Sequence, residues 1–190
     1  IARKLERSEY KLNKYAGYIS LKINLPDNYF AGVAYRRSRT GEQYGIISTD
    51  TNSAPYDTLV LKMVKVPNLI PDNIAAWNLK LKNIYQLPVK PVSQNDFEFN
   101  ISYFYDNSYK TSLPGMSTYL ISILNLDKYI IDRIPPPDNK FDFLPGYTID
   151  TENGWVIFPD LNPFVSCFAN YSGTPIDQSY WYPEIYSITK

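Results

Sequence analysis

Apolar and polar residues alternate at a period of two along much of the chain, most clearly in Phe97-Glu98-Phe99-Asn100-Ile101-Ser102-Tyr103-Phe104-Tyr105. Successive side chains of a strand point to opposite faces, so this run predicts a strand with Phe97, Phe99, Ile101, Tyr103 and Tyr105 on one side. Shorter stretches of the same kind predict strands over 18–23, 30–35, 44–48, 58–66, 146–150, 155–158 and 164–170. One stretch departs from this period. Ile74, Trp77, Leu81, Ile84 and Tyr85 recur at spacings of three, four, three and one behind Asp72, which predicts a capped helical face, although Trp77, Leu79 and Leu81 also suit a strand. A second, weaker helix is predicted within 117–126. The three consecutive prolines of Ile134-Pro135-Pro136-Pro137-Asp138-Asn139 supply no amide donors and read as a stiff loop. The fold class expected from these patterns is mainly β, with antiparallel hairpins in a sandwich-like arrangement and one or two short helices.

The chain also matches itself. Tyr10-Lys11-Leu12-Asn13, then Gly17-Tyr18-Ile19 and Leu21, has a counterpart at identical spacing in Tyr147-Thr148-Ile149-Asp150, then Gly154-Trp155-Val156 and Phe158. Each copy reads as an alternating strand, a turn opened by Asn or Asp and closed by Gly, and a returning strand that carries an aromatic residue. Two unrelated hairpins converging on the same turn chemistry would look alike, so repetition and convergence both remain open at this level.

Composition narrows the functions open to such a fold. The 190 residues, 44% of them hydrophobic, suffice for one sizeable core or two small modules. Nineteen basic residues balance nineteen acidic ones, so no overall field draws the protein to nucleic acid or an anionic membrane. No run reaches the ~18 apolar residues of a membrane-spanning helix. The chain opens on Ile1 without a signal-like stretch and is expected to be an excerpt of a longer protein. With no His, it has no histidine base, no Ser/His triad and no histidine metal ligand. The single cysteine, Cys167, lies in Phe164-Val165-Ser166-Cys167-Phe168 and is expected to be a buried small hydrophobe, not a nucleophile.

The remaining chemical candidates each have a plainer reading. Asp142, Asp150, Glu152 and Asp160 cluster around Gly154, but the ligand number and closing Glu of a calcium loop are missing, and turn-capping acids are expected. A glycosidase pair among them would require two carboxylates facing each other across a cleft. Tyr35-Arg36-Arg37-Ser38-Arg39-Thr40-Gly41 interleaves basic and aromatic residues, yet reads as a solvated hairpin tip and not a nucleic-acid contact. Trp77, Trp155, Trp181 and Tyr182 are expected to pack in the core, on sheet faces or at an interface; Trp155, Trp181 or Tyr182 could alternatively form a sugar-stacking platform in a secreted carbohydrate-binding module. No catalytic, cofactor-binding or metal-binding residue is therefore assigned.

The stretch Phe141-Asp142-Phe143-Leu144-Pro145-Gly146-Tyr147-Thr148-Ile149-Asp150, continuing through Glu152-Asn153-Gly154-Trp155-Val156-Ile157-Phe158-Pro159 to Leu161-Asn162-Pro163-Phe164, resembles the recurring signature of the SprA/Sov family of giant outer-membrane proteins. Glu9-Tyr10 through Leu21, Val33-Ala34-Tyr35, Trp77-Asn78-Leu79 through Tyr85, and Leu124-Asn125-Leu126-Asp127 follow in the family's order, so the likeness covers most of residues 6–164. The Pro-rich 135–139 region and Asn162, where the family pattern has Glu, depart from it. The resemblance implies a noncatalytic module, over 1–172, of the type IX secretion outer-membrane channel, whose relatives serve protein export and gliding motility in Bacteroidetes. Expected partners are the remainder of the parent barrel chain, other outer-membrane secretion components and exported cargo, with no cofactor and no nucleic acid. Since a barrel strand needs ~9–11 alternating residues and only 97–105 approaches that, an extramembrane portion of the outer-membrane protein is expected. Residues 173–190 fall outside the likeness.

Overall fold

The computed structural model describes residues 3–46, 60–70, 72–128 and 137–181. In chain order its strands are β1 (Tyr10–Asn13), β2 (Tyr18–Leu21), β3 (Ala31–Val33), β4 (Tyr35–Arg36), β5 (Gln43–Tyr44), β6 (Lys62–Lys65), β7 (Ile84–Gln86), β8 (Tyr103–Tyr105), β9 (Ser108–Lys110), β10 (Ile149–Asp150) and β11 (Trp155–Ile157). Two single-turn helices, α1 (Ile74–Trp77) and α2 (Leu120–Ile123), interrupt them. All pairings between these strands are antiparallel. Mainly antiparallel β structure with short helices is thus observed as expected, arranged among the described residues in five small sheets, of which β10-β11-β7 has three strands and the others two. No helix of the described residues is long and apolar enough to cross a membrane.

The described residues divide into two compact units, one within residues 3–22 and 81–181 and the other within residues 23–80. The first holds the core. Leu120, Ile121, Ile123, Leu124 and Leu126 are buried in one cluster with Leu113, Val156, Phe158, Cys167, Phe168 and Ile176. Ile176, Tyr180 and Trp181 join or line that cluster, so the stretch beyond Gly173 packs onto the core as far as the described residues extend.

The second unit is built from short ladders: β3 on β6, β4 on β5, and an isolated bridge between Ile46 and Val60. Gly45 allows these strands to meet. Its φ of +78° lies in the left-handed region, and a Cβ there would come within 2.6 Å of the Val60 carbonyl oxygen. Lys65 Nζ donates to the carbonyls of Pro26, Asp27 and Tyr29, tying down the loop ahead of β3. Only Ala76 among this unit's described hydrophobic residues is buried, while Phe30, Met63, Val64, Ile70 and Ile74 stand exposed.

Several predicted elements are corrected. In the 97–105 run Phe97, Phe99, Ile101 and Tyr103 take the expected facing, half-buried between exposed neighbours, but Tyr105 is exposed like Phe104, and only Tyr103–Tyr105 enters a ladder. Phe97 and Phe99 instead pack on the rings of Phe141 and Phe143. The predicted strand at 164–170 is a π-type turn, Pro163–Cys167, running into further helix. Phe164, Cys167, Phe168 and Tyr171 recur at helical spacing, and Pro163 begins the helix where a missing amide costs nothing. The helix predicted behind Asp72 shrinks to Ile74–Trp77, capped by Asn73 Oδ1, and Ile84 and Tyr85 join a strand. The weaker helix within 117–126 is present as Leu120–Ile123. The residues 129–136, with the first half of the 134–139 proline loop, and those of the 44–48 and 58–66 predictions that fall within 47–59 lie outside the described residues.

Candidate functional site

The two look-alike segments fold into the same hairpin. In the first, Asn13 pairs with Tyr18 and Leu12 with Ile19; in the second, Asp150 pairs with Trp155 and Ile149 with Val156, position for position. Asn13 Oδ1 accepts the amides of Tyr15 and Ala16, and Asp150 Oδ1 accepts those of Glu152 and Asn153, two and three residues onward in both cases. Each turn is closed by a glycine amide donating back to the opening residue's carbonyl, Gly17 to Asn13 at 3.0 Å and Gly154 to Asp150 at 2.8 Å. Both glycines take positive φ, +71° and +67°. An Asx side chain satisfying turn amides and a glycine free to enter the left-handed region explain why the sequence uses these residue types at this spacing. The match within the chain is therefore a match of structure as well as spelling.

The hairpins pack against each other through corresponding residues. Tyr18 sets its ring edge-on to Trp155, its own counterpart, at 5.9 Å, and its hydroxyl donates to Asp150 Oδ2 at 2.6 Å. Asn13, the counterpart of Asp150, donates from Nδ2 to the Gly146 carbonyl. Tyr15 stacks on Tyr147 at 4.6 Å, and Lys11 reaches Glu152 at 2.8 Å on the exposed rim. An open groove of about 540 Å³ runs along this seam, lined by Lys11, Asn13, Tyr15, Ser20, Asp150 and Glu152 among others.

The electrostatics of the seam are those of a structural lock. Burial opposes ionisation of Asp150, but hydrogen bonds from Tyr18, Asn153 and the turn amides outweigh it and hold the carboxyl below its ordinary value. The Tyr18 phenol is pushed up to about 12 by burial and by its bond to the Asp150 carboxylate. With Oδ1 taking two amides and Oδ2 taking Tyr18 and Asn153 Nδ2, both Asp150 oxygens are engaged within the fold.

The other residues singled out in the sequence are placed as follows. Glu152 is exposed in its ion pair, and Asp160 accepts the Asn162 amide and the Ser166 hydroxyl as a local cap. Asp142 contributes its backbone, donating to Leu126 and accepting from Thr148 Oγ1. Asp150 and Glu152 thus sit in one hairpin turn, as expected of turn acids, and among the described residues no group of three or more His, Cys, Asp or Glu could hold a metal ion. Cys167 is buried, and that burial raises its thiol to about 11, which suits a small hydrophobe. The arginine-rich stretch forms an exposed hairpin tip between β4 and β5, where Arg37 pairs with Glu42 and lies over the Tyr44 ring. Trp155 is half-buried under Tyr18, Trp181 packs on the core, Trp77 lies under Lys80 Nζ, and Tyr182 is outside the described residues.

Sequence reasoning passed over three buried polar residues, Asn83 and Thr148 at the second hairpin and Asp127 just beyond α2. Asn83 is buried; its Nδ2 donates to the Phe158 carbonyl and its carbonyl accepts the Phe158 amide. Thr148 is buried with its hydroxyl tying Asp142 and Leu144 into the preceding loop. Asp127 is buried and accepts from Ser122 and the Asn139 amide. All three lie within the stretches quoted for the family likeness. No protein-family model and no curated protein matches the chain.

Proposed function

We propose that the chain is a structural, noncatalytic module of a very large outer-membrane β-barrel of the SprA/Sov kind, serving type IX protein export and, in some bacteria, gliding motility. In this reading it lies outside the membrane and acts by shape: it frames or blocks the passage, packs on the rest of the parent chain, and meets other secretion components and exported cargo. One observation carries the proposal. Four of the stretches that resemble the family, at 9–21, 81–85, 124–127 and 141–164, converge on one structural unit, while 33–35 and 77–80 lie in the other: in the first, Asn83 brackets Phe158, Leu126 and Asp142 are bonded, and Tyr18 meets Asp150. Their polar groups are spent on holding that unit together, which suits a scaffold.

Apolar surface left open supports the same reading, since a module of a larger chain is expected to carry faces that its neighbours cover. Leu12, Ile19 and Leu21 on the first hairpin are exposed, as are Phe30, Met63, Val64, Ile70 and Ile74 among the described residues of the second unit. The sugar-platform alternative requires exposed, coplanar rings. Trp155, edge-on to Tyr18, and Trp181, against the core, do not favour it.

Two measurements test the proposal. The parent sequence on either side should contain long arrays of ~10-residue alternating strands. Removing residues 3–181 from the parent should abolish or misdirect export across the outer membrane while the barrel still inserts. Flanks without such arrays, or unchanged export, would sink the reading.

A further inference from the structure

The outer edge of β2 is open at the positions where the same edge of its counterpart, β11, is filled. Hydrogen bonds from the Gly17 amide to Asn13 and from the Lys22 amide to Glu9, with the register between them, turn the backbone groups of Tyr18 and Ser20 inward to β1. Those of Ile19 and Leu21 therefore point away from β1, and the sheet has no third strand. In the second hairpin β7 and its two flanking residues engage the corresponding groups. Val156 pairs with Tyr85, the Gly154 carbonyl accepts the Leu87 amide, and Asn83 accepts the Phe158 amide and donates to the Phe158 carbonyl. The matching set at β2 is the Gly17 carbonyl and both backbone groups of Ile19 and of Leu21. None of these has a backbone partner among the described residues.

We propose that this edge is a docking site for an extended segment of a separate polypeptide, which lies antiparallel to β2 as a third strand and carries apolar or aromatic side chains at alternate positions. The occupant is argued from the one the fold already shows. Because the two hairpins share a register, β2 and β11 hold the same donors and acceptors at the same spacing, and a strand bonded as β7 is bonded meets every open group. Residues directly opposite in a sheet stand on one face, and Ile19 and Leu21 are exposed on theirs. Tyr85, opposite Val156, sets its ring edge-on to Phe158 on the corresponding face, which is why alternate apolar residues suit the incoming strand. Tyr18–Leu21 also carries no charge and no proline, two devices that keep an edge from pairing. The inference rests on the two hairpins and β7 and stands apart from the outer-membrane reading.

The test uses the isotopically labelled 190-residue chain and, as probe, a synthetic peptide of residues 81–88. In the dilute chain alone the amides of Ile19 and Leu21 should exchange with solvent roughly tenfold or more faster than those of Val156 and Phe158. The peptide should shift and protect Ile19 and Leu21, and change Tyr18 and Ser20 little. Methylating the peptide's Tyr85 amide removes one donor and should weaken binding roughly tenfold or more. Leu21→Pro removes an outward donor and no bond to β1, so it should weaken binding as much, whereas Leu21→Val keeps the donor and should bind. The thermal midpoint reports folding of both variants, and the methylated peptide puts the same question to the unaltered protein. Five outcomes overturn the proposal: protection of Ile19 and Leu21 in the dilute chain alone, meaning the chain covers its own edge; protection that rises with protein concentration without peptide, meaning a second copy is the occupant; no shifts; equal binding of the methylated peptide; or shifts centred on Val156, meaning displacement of β7.

Discussion

The hairpins β1-β2 and β10-β11 share a register, an Asx-capped turn and a closing glycine, yet they are embedded to very different depths. The first touches the rest of its unit mainly through one face, whereas the second has hairpin β1-β2 on one side, the α2 cluster on the other, and β7 along the free edge of β11. Its turn is covered too, with Leu87 donating to the Gly154 carbonyl and Val92 to that of Thr151. A local sequence can therefore specify a hairpin without specifying how much of it is buried. The same letters should give unequal energies when changed.

The largest gap is expected between the aliphatic positions. Ile149→Ala removes a fully buried side chain and should cost about 2–5 kcal/mol through lost transfer energy and the cavity left behind. Leu12→Ala, at the corresponding site, deletes a side chain that is 40% exposed and should cost under about 1 kcal/mol. Urea melts of the two variants measure the difference. Similar losses at both sites would mean that Leu12 is covered in solution and would break the comparison.

The glycines come next. Alanine at Gly17 meets no atom within 4 Å, so its penalty is the left-handed backbone alone, about 1–2 kcal/mol. Alanine at Gly154 carries the same penalty and also puts its Cβ 2.3 Å from the Val89 carbonyl oxygen, within a backbone segment that has to move. Gly154→Ala should therefore lower the thermal midpoint well beyond Gly17→Ala. Equal shifts would show that the 87–92 segment gives way easily.

The hairpins were the most legible part of the fold because everything that defines them is local: alternation, an Asx residue, and a glycine at fixed offset. Facing was also legible at Phe97, Phe99, Ile101 and Tyr103, whereas strand pairing was not, because an alternating run encodes which side is apolar and not whether another backbone lies alongside. At 164–170 aromatic-rich alternation suggested a strand, while the helical spacing of Phe164, Cys167, Phe168 and Tyr171 carried the true signal. The inter-hairpin seam was not legible. Tyr18 and Asp150 are 132 residues apart, and either residue alone looks like ordinary hairpin chemistry.

That seam supplies the next smaller effect. Tyr18→Phe keeps the ring against Trp155 but removes the donor to a buried carboxylate, a loss of about 1.5–3 kcal/mol for a hydrogen bond to a charged group. The pH dependence follows from the direction of each shift. Tyr18 titrates higher in the fold than the usual phenol at 10, so its contribution is complete below pH 10 and is lost as pH rises toward about 12. Asp150 titrates below the ordinary 3.8, so its contribution is present above that value and is lost as pH falls through the lowered folded value. Stability measured from pH 8 to 12 should fall in the wild type and fall less in Tyr18→Phe; parallel curves would remove Tyr18 from the account.

The smallest effect is expected at the rim, where Lys11 and Glu152 join the same two hairpins across 2.8 Å. Their side chains are 52% and 69% exposed, so water and salt screen the pair, and holding two long side chains in place offsets most of the attraction. Lys11→Ala should leave the thermal midpoint within the scatter of repeated scans, in low salt and in 0.5 M salt alike, while Tyr18→Phe shifts it in both. The contrast separates two ways of fastening the seam: a desolvated hydrogen bond at its floor and an ion pair at its edge. A clear, salt-sensitive drop for Lys11→Ala would instead assign the joining of the hairpins to the rim charges.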